Sequence, residues 1–453
     1  MAFAFLFQAG VPLRGSFGAR VTADEPFYLL TVESLRADGD LDLTNQYEKM
    51  AYARFWDGSE PLWHQSSPGP DGRLLSPHNA GLPILLLPAY AMGGLEMTKG
   101  FLATMGGITV GLAYLLGRRL VPSRRAVGLA TAGVALSAPW FVYASQIYPE
   151  MPAALLVCLT LWLLLTPRPG SWQGAAAALL LAGAMWLGSK YAPLAAVLFL
   201  LALVRLPRPG VMLLAAVSAG LATHYLWFHQ VTFGGVTPYA VNRLYSGYDT
   251  MQLVQLHWGF IDRVYRFVGL WVDQEFGLVR WAPILLLLLP GASLLVRRTP
   301  RVGAILLSVI AVQLFVAIFL AITMRGWWFP GRMLIVVLPV VVPLVAVALH
   351  EMRNRVGFGV AALLVVGTVN TTLSLWLAAR SGAVALAVNP FAAPGLWLDL
   401  TTPVFPLFTE YGPMTLALSL CWLALAAVLL VWPVRPWLIG ARRPGLQAAP
   451  AAT

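Results

Sequence analysis

The chain has 453 residues, of which 59% are hydrophobic and 11% are charged, and its mean hydropathy is +0.74. Because soluble domains contain about 25% charged residues, this composition excludes a soluble protein and also a soluble domain on a single anchor. Its two cysteines, Cys158 and Cys421, both lie in apolar segments, which excludes a disulfide framework and a cysteine-based zinc site. The net charge of +11 needs a separate explanation, since a basic chain also suits nucleic-acid binding.

The first ten residues are apolar but too few to cross a bilayer, which takes about 20 residues. They also lack the basic start and the small-residue cleavage site of a signal peptide. We therefore expect a shortened first helix, or a first helix whose upstream part lies outside this sequence.

A long polar segment, 11–97, follows. It begins with a predicted amphipathic helix at 26–37 that carries Phe27, Leu30 and Leu35 on one side. A Gly-, Pro- and Ser-rich stretch at 57–77 is expected to be mobile. The apolar residues 81–93 are few and are interrupted by proline, so they predict an interfacial or re-entrant helix.

The remaining chain contains apolar segments that are long enough, or nearly so, to span a membrane. They cover roughly 98–117, 126–142, 151–166, 171–187, 191–204, 210–228, 281–296, 302–323, 333–349, 356–378 and 413–434. They predict an all-α, polytopic membrane helix bundle of about 11–12 transmembrane helices in one transmembrane domain, 1–434, with a cytoplasmic tail at 435–453. Two further outer loops are expected at 229–280, with an amphipathic stretch near 253–272, and at 380–412.

The positive charge is concentrated in alternate loops. Fifteen arginines fall on one face of the predicted bundle, at positions 118, 119, 124, 125, 168, 205, 208, 297, 298, 301, 353, 355, 435, 442 and 443. The positive-inside rule assigns that face to the cytoplasm. Of the 19 acidic residues, only Glu351 lies there. The net charge is therefore a topological signal, and a nucleic-acid partner is excluded.

Two adjacent carboxylates, Asp24 and Glu25, directly precede the predicted helix 26–37. Next to a membrane cavity, Asp24 suits a general base that removes a proton from an acceptor hydroxyl. The alternative is structural, because Asp is common at a helix N-cap and Pro26 suits the first helical turn. Both interpretations hold if Glu25 provides the cap instead of Asp24.

Glu150 and Lys190 lie at two outer turns, in the segments 148–152 (YPEMP) and 188–191 (GSKY). Glu150 suits a second carboxylate that orients the acceptor or binds a divalent cation; alternatively, it compensates the dipole of the helix that it begins. Lys190 suits a point charge that holds a phosphate; alternatively, it extends towards lipid headgroups.

Arg325 and Arg332 lie in one outer loop, 324–332 (MRGWWFPGR), where they suit phosphate binding beside an aromatic groove. The alternative is an interfacial aromatic belt with headgroup-binding arginines. His78, in the segment 76–79 (SPHN), is a candidate for the mouth of the same cavity or an ordinary loop residue. All of these candidates, from Asp24 to Arg332, fall on the same predicted non-cytoplasmic side.

The order of these motifs resembles the GT-C superfamily of membrane glycosyltransferases, in the branch of protein O-mannosyltransferases and lipid A aminoarabinose transferases. The resemblance covers most of 20–350 and rests on the acidic pair, the segment 76–83 (SPHNAGLP), the YPEMP segment, the GSK turn and the FPGR loop. The chain departs from it in its shortened first helix, in Pro-His-Asn where His-Pro-Pro is usual, and in lacking a large soluble C-terminal domain.

The resemblance implies an inverting hexosyl- or pentosyltransferase that takes its sugar from a polyprenyl phosphate. It implies catalytic roles for Asp24 and Glu150 and phosphate-binding roles for Lys190 and Arg332. Glu25, His78 and Arg325 are further substrate-binding candidates because of their position in the outer loops, not because of the resemblance. The acceptor would be a glycan, lipid or protein hydroxyl, and the enzyme would lie among membrane lipids in a bacterial inner membrane with its site facing the periplasm. No redox cofactor is implied, and a divalent cation is compatible with the two carboxylates but not required.

Two other functions fit parts of the pattern. A transporter or flippase of lipid-linked sugars would place ionisable residues at mid-membrane depth, whereas here they cluster in outer loops. A non-catalytic assembly factor would tolerate the loss of Asp24. The chain has no Walker, GxSxG, HExxH, CxxC or GxGxxG-like motif, which argues against a nucleotide-sugar donor.

Overall fold

The computed structural model describes residues 2–17, 19–58, 60–69, 71–241, 260–321, 323–352 and 355–431. These residues form an all-α bundle whose sole extended pairing, within the described ranges, is an isolated bridge between Asp42 and Leu75. The predicted amphipathic stretch 253–272 lies partly outside the described residues, and the predicted tail 435–453 lies wholly outside them.

The helices of the first half are α1 (Ala2–Phe7), α2 (Glu25–Ala37), α3 (Thr44–Glu48), α4 (Gly81–Leu120), α5 (Arg124–Ala135), α6 (Ala138–Tyr143), α7 (Glu150–Leu164), α8 (Trp172–Leu187), α9 (Ala192–Arg205) and α10 (Arg208–Phe233). Those of the second half are α11 (Phe260–Arg263), α12 (Arg266–Val272), α13 (Leu278–Trp281), α14 (Leu288–Arg298), α15 (Pro300–Phe315), α16 (Leu338–Glu351), α17 (Arg355–Arg380), α18 (Leu396–Thr401) and α19 (Pro413–Val431). Within the described part, six helical stretches are long and apolar enough to span a membrane: 81–120, 208–241, 300–320, 332–351, 355–380 and 413–431.

The predicted short helix 81–93 is the first part of α4. The helix bends at Gly93 and Gly94, and Gly94 has a φ of 58°, a left-handed conformation that favours glycine. The predicted short helix 81–93 and the predicted span 98–117 are thus two arms of one kinked helix.

Several predicted spans are interrupted rather than continuous. The segment 126–142 is divided into α5 and α6 at Leu136 and Ser137, and Pro139 occupies the first turn of α6, where its missing N–H costs nothing. The predicted span 281–296 begins as a 3-10 turn, Pro283–Leu287, before α14. A second 3-10 segment, Arg332–Val337, precedes α16. These breaks bring loop residues towards the interior at one end of the bundle.

Helix α2 starts where it was predicted but is not a surface helix. Phe27, Leu29 and Val32 point in different directions around its axis, yet all three are buried. The expectation of a single apolar side was wrong, because α4 covers one side of this helix and the loop that follows α3 covers another. Burial on all sides fixes the position of the residues that precede α2.

The loop 57–77, predicted to be mobile, contains no helix among its described residues but is anchored. Leu62, Leu74 and Leu75 are buried, and the Leu43 N–H donates a hydrogen bond of 2.8 Å to the Leu74 carbonyl. The end of this loop therefore delivers the segment 76–79 to a defined place.

The two ends of the bundle differ in their charged residues. At one end, Arg205 donates to the Thr166 carbonyl at 3.1 Å, and Arg298 pairs with Glu351 at 2.7 Å. The acidic residue Glu150 lies at the opposite end of α7, since that helix begins at Glu150 and ends at Leu164. The arginine-rich loops and the candidate site residues thus occupy opposite ends, as the alternating charge pattern predicts.

Candidate active site

Asp24 occupies the N-cap position of α2, but its side chain makes no capping hydrogen bond. Its Oδ2 instead accepts a hydrogen bond of 2.7 Å from Nη2 of Arg332, and its Oδ1 lies 3.9 Å from Nε2 of His78. The side chain remains 22% exposed. The carboxylate therefore binds Arg332 and lies near His78 rather than capping its own helix.

Glu25 lies behind Asp24 and is completely buried. Its Oε2 accepts from the Thr22 N–H at 2.9 Å, and its Oε1 accepts from the Ile147 N–H at 2.8 Å. Burial raises the pKa of Glu25. Because both oxygens bind backbone groups, this side chain ties the loop before α2 to the loop before α7. That geometry suits a residue that positions the site, in place of the substrate-binding role expected for it.

Glu150 begins α7 and is 1% exposed. Its Oε1 accepts two charge-assisted hydrogen bonds, from Nζ of Lys190 at 2.6 Å and from Nε of Arg332 at 2.8 Å. A residue that only compensates a helix dipole stays at the surface and gains at most about 1 kcal/mol. Glu150 is instead the buried partner of two cations, where loss of one partner costs about 3–5 kcal/mol.

Arg332 connects the two carboxylates. It follows Gly331, whose φ of 83° turns the chain into the 3-10 segment that starts at Arg332. Its guanidinium lies 4.1 Å from the ring centre of Tyr148 and 5.2 Å from that of Trp328. A planar guanidinium can bind two carboxylates through different nitrogens and still stack on an aromatic ring.

Lys190 lies in the short turn between α8 and α9, with its side chain 20% exposed. Burial lowers the pKa of Lys190, against the attraction of Glu150. Its ammonium points at Glu150 and not towards the lipid surface. The turn thus contributes the second cation of the cluster.

Two carboxylates and two cations make this cluster electrically neutral as a whole. Burial alone would raise the pKa of Asp24, but Arg332, with His78 and Lys190 nearby, lowers it from 3.8 to about 2. Asp24 is therefore ionised at neutral pH. Burial also lowers the pKa of His78 below its usual 6.5, so that imidazole is neutral there.

Arg325 is not part of this cluster. It pairs with Asp273 at 2.6 Å and lies 3.8 Å from Glu275. Asp273 also accepts from the Phe408 N–H at 3.1 Å. This second ion pair therefore joins the Arg325 loop to the loop after α12, and the hydrogen bond from Phe408 adds the loop before α19.

The donor set at the site does not suit a divalent cation. Among the described residues, no group of three or more His, Cys, Asp or Glu side chains is placed to hold a metal. Arg332 already contacts both Asp24 and Glu150, where a dication would have to lie. The pair is thus neutralised by protein cations.

Four residues of this region were missed in the sequence. Tyr148 stacks on Arg332, and the Tyr28 ring lies 4.7 Å from that of His78. Asn79 accepts from the Ser189 N–H at 3.2 Å, which links the His78 loop to the Lys190 turn. Tyr191 is buried directly after Lys190. Each lies next to, or within a few positions of, a residue that the sequence did identify. The polar and aromatic neighbours of the identified residues would therefore have been the best further candidates.

An apolar groove runs beside the cluster between α8, α9 and α10. It has a volume of about 490 Å³, and its wall consists mostly of small or apolar side chains, including Ala178, Ala182, Ala195 and Ala222. Ser189, the residue before Lys190, also lines it. The groove therefore reaches the turn that carries one of the two cations.

Two solved structures share this architecture. Crystal structures of ArnT from Cupriavidus metallidurans, one bound to undecaprenyl phosphate and one in the apo state, match with TM-scores of 0.53 and 0.51. Each is 16% identical and covers 96% of this chain and 74% of ArnT. The apo oligosaccharyltransferase of Archaeoglobus fulgidus matches with a TM-score of 0.43 and 14% identity, over 92% of this chain and 58% of that one. No protein family and no curated protein matches the sequence. The likeness to ArnT shows the fold alone: this chain has the all-α membrane fold of ArnT, in agreement with the predicted helix bundle.

Proposed function

We propose that this protein is a glycosyltransferase that moves a sugar from a polyprenyl-phosphate donor to an acceptor hydroxyl on the non-cytoplasmic side of a membrane. The observation that carries the proposal is the cluster of Asp24, Glu150, Lys190 and Arg332 at one end of a membrane helix bundle. It combines two cations for a phosphate with a carboxylate for a hydroxyl. A bacterial inner membrane with a periplasmic site is the location that we assign.

The cations act on the leaving group. As the bond between the anomeric carbon and the phosphate oxygen breaks, negative charge grows on the phosphate. Arg332 and Lys190 stabilise that charge, and such stabilisation accelerates the reaction because it is stronger in the transition state than in the bound donor. Glu150 holds both cations at 2.6–2.8 Å, so they are in place before the donor arrives.

The carboxylate acts on the acceptor. Asp24 binds Arg332 through Oδ2, which leaves Oδ1 free of that ion pair, and the side chain is 22% exposed. An attacking hydroxyl oxygen gains positive charge as it bonds to the anomeric carbon, and an ionised carboxylate beside it stabilises that charge. Attack opposite to the departing phosphate gives an inverting transfer.

The apolar groove suits the prenyl chain. Its alanine-rich wall leaves space for a long hydrocarbon, and Ser189 lies where the groove meets the Lys190 turn. A similar fold, ArnT, has been crystallised with undecaprenyl phosphate. A lipid phosphate would thus place its charge at the cations and its chain among apolar residues.

The test is sugar transfer by the purified protein in liposomes. Undecaprenyl-phosphate mannose and undecaprenyl-phosphate aminoarabinose serve as donors, with membrane extracts as the source of acceptors. We expect Asp24→Asn to lower transfer by ~10²–10³-fold, the usual effect of losing one electrostatic stabiliser of the transition state, while Asp71→Asn, in an exposed loop where Asp71 pairs with Arg73, leaves it unchanged. Movement of the intact donor across the bilayer without sugar transfer would instead identify a transporter.

A further inference from the structure

Asp24 is poorly suited to be the final proton acceptor. Its Oδ2 is occupied by a charge-assisted hydrogen bond from Arg332. A carboxylate with a pKa of about 2 also binds a proton weakly near neutral pH, whereas effective general bases have a pKa near the working pH. The reaction nevertheless releases one proton from the acceptor hydroxyl.

His78 has the geometry of a proton acceptor at the same place. Its Nε2 is buried and makes no hydrogen bond to any described residue. That atom lies 3.9 Å from Asp24 Oδ1, and its ring lies against Tyr28 and Phe27, with centroid distances of 4.7 Å and 6.4 Å. A hydroxyl oxygen about 2.8 Å from Nε2, a normal hydrogen-bond distance, can donate its single proton to that nitrogen, and Asp24 Oδ1, 3.9 Å from Nε2, then lies near the positive charge that forms.

We propose that His78 is the catalytic base of this site and that Asp24 stabilises the imidazolium that forms. The inference rests on the proposed function. The acceptor oxygen bonds to the anomeric carbon, and the bond from that carbon to the phosphate oxygen breaks, with its electron pair leaving on the polyprenyl phosphate. The proton of the hydroxyl moves to Nε2 of His78.

The surrounding charges favour this role over phosphate binding. Burial is the main reason why the pKa of His78 is lowered; Asp24 and Glu150 attract a proton to the ring, whereas Arg332 and Lys190 repel it. A neutral imidazole can accept a proton, but it adds no charge for holding a phosphate. The fold also supplies two permanent cations for that task within the same cluster.

The pH dependence of sugar transfer shows whether His78 or Asp24 accepts the proton. If His78 is the base, kcat/KM rises with pH through a pKa below 6.5, because the neutral imidazole is the active form. If Asp24 alone accepts the proton, kcat/KM is flat from pH 4.5 to 7.5, since a group with a pKa of about 2 stays ionised throughout. A flat profile for the wild-type protein would overturn the proposal. Because this measurement uses the wild-type protein, it does not depend on whether a variant folds.

Two variants sharpen the test. His78→Gln should lower kcat by ~10²–10⁴-fold and remove the acidic limb of the profile, while binding of undecaprenyl phosphate changes less than threefold. His78→Lys should be equally inactive, because a lysine that is charged at pH 7 cannot accept the proton. Near wild-type transfer by His78→Lys, or loss of lipid binding in His78→Gln that matches its loss of transfer, would assign His78 to the phosphate instead. A wild-type protein that neither binds the lipid nor transfers sugar would overturn the proposed function itself.

Discussion

Replacing Arg332 by glutamine removes the guanidinium that contacts both Asp24 and Glu150, at 2.7 and 2.8 Å. Against the effect of burial, Arg332 contributes most to lowering the pKa of Asp24 from 3.8 to about 2, a difference equivalent to about 2 kcal/mol at ~1.36 kcal/mol per pKa unit. A lowered carboxyl pKa contributes stability that is present above the unfolded pKa of 3.8 and lost as the pH falls towards 2. Arg332→Gln also removes one of the two cations that pair with buried Glu150, so we expect it to lose about 3–5 kcal/mol of unfolding free energy at pH 7, and less at pH 3.

The same substitution should weaken lipid binding. A hydrogen bond to a charged group contributes about 1.5–3 kcal/mol, so the Kd for undecaprenyl phosphate should rise roughly 10- to 150-fold. The assays are unfolding in detergent at both pH values and lipid binding by native mass spectrometry.

Arg325→Gln is the matched control, because Arg325 makes a comparable ion pair with Asp273 outside the cluster. It should lose stability but bind the lipid as the wild type does. Unchanged binding in Arg332→Gln, or a stability difference that grows at pH 3, would refute the reasoning.

Three further predictions concern the second cation, the packing and the orientation. Lys190→Ala should raise the Kd for undecaprenyl phosphate about tenfold, while Lys190→Arg keeps most of the affinity. If both variants weaken binding equally, Lys190 does not act through its positive charge. Gly174→Ala should destabilise the protein by ~1–3 kcal/mol, because the added Cβ would lie 1.9 Å from the Gly210 carbonyl oxygen. Gly220→Ala, with open space around it, should be neutral or stabilising. Thermal unfolding of the two variants measures both effects. With the native cysteines replaced, Ser67→Cys should react with an impermeant thiol reagent in intact cells and Pro122→Cys should not, and the reverse result would place the site in the cytoplasm.

The sequence was informative about the bundle because hydrophobic length and arginine placement are strong local signals. The start of α2 at Glu25 and the separation of arginine-rich and acidic ends both agree with it. The breaks inside α4 and between α5 and α6 were less predictable. A Gly-Gly pair or a proline near a helix start is tolerated in either a straight or a broken span, and tertiary packing decides which of the two forms.

The site was predicted in part, residue by residue. Glu150 and Lys190 each had a plausible alternative as a terminal or lipid-facing charge, and only their mutual distance of 2.6 Å shows that they are paired. Arg325 and Arg332 looked equivalent because they share one loop, yet the 3-10 turn after Gly331 sends Arg332 into the cluster. Arg325 lies before that turn and pairs with Asp273. Such pairings depend on contacts 40–308 residues apart, which local patterns do not encode.

The most direct measurement is a cryo-electron microscopy structure of the protein with undecaprenyl phosphate. We expect the phosphate to contact both Arg332 and Lys190, with its first prenyl units in the groove beside Ser189. We also expect Asp24 and His78 to face the space next to that phosphate. A phosphate bound at Arg325, or at the arginine-rich end of the bundle, would contradict the proposed site.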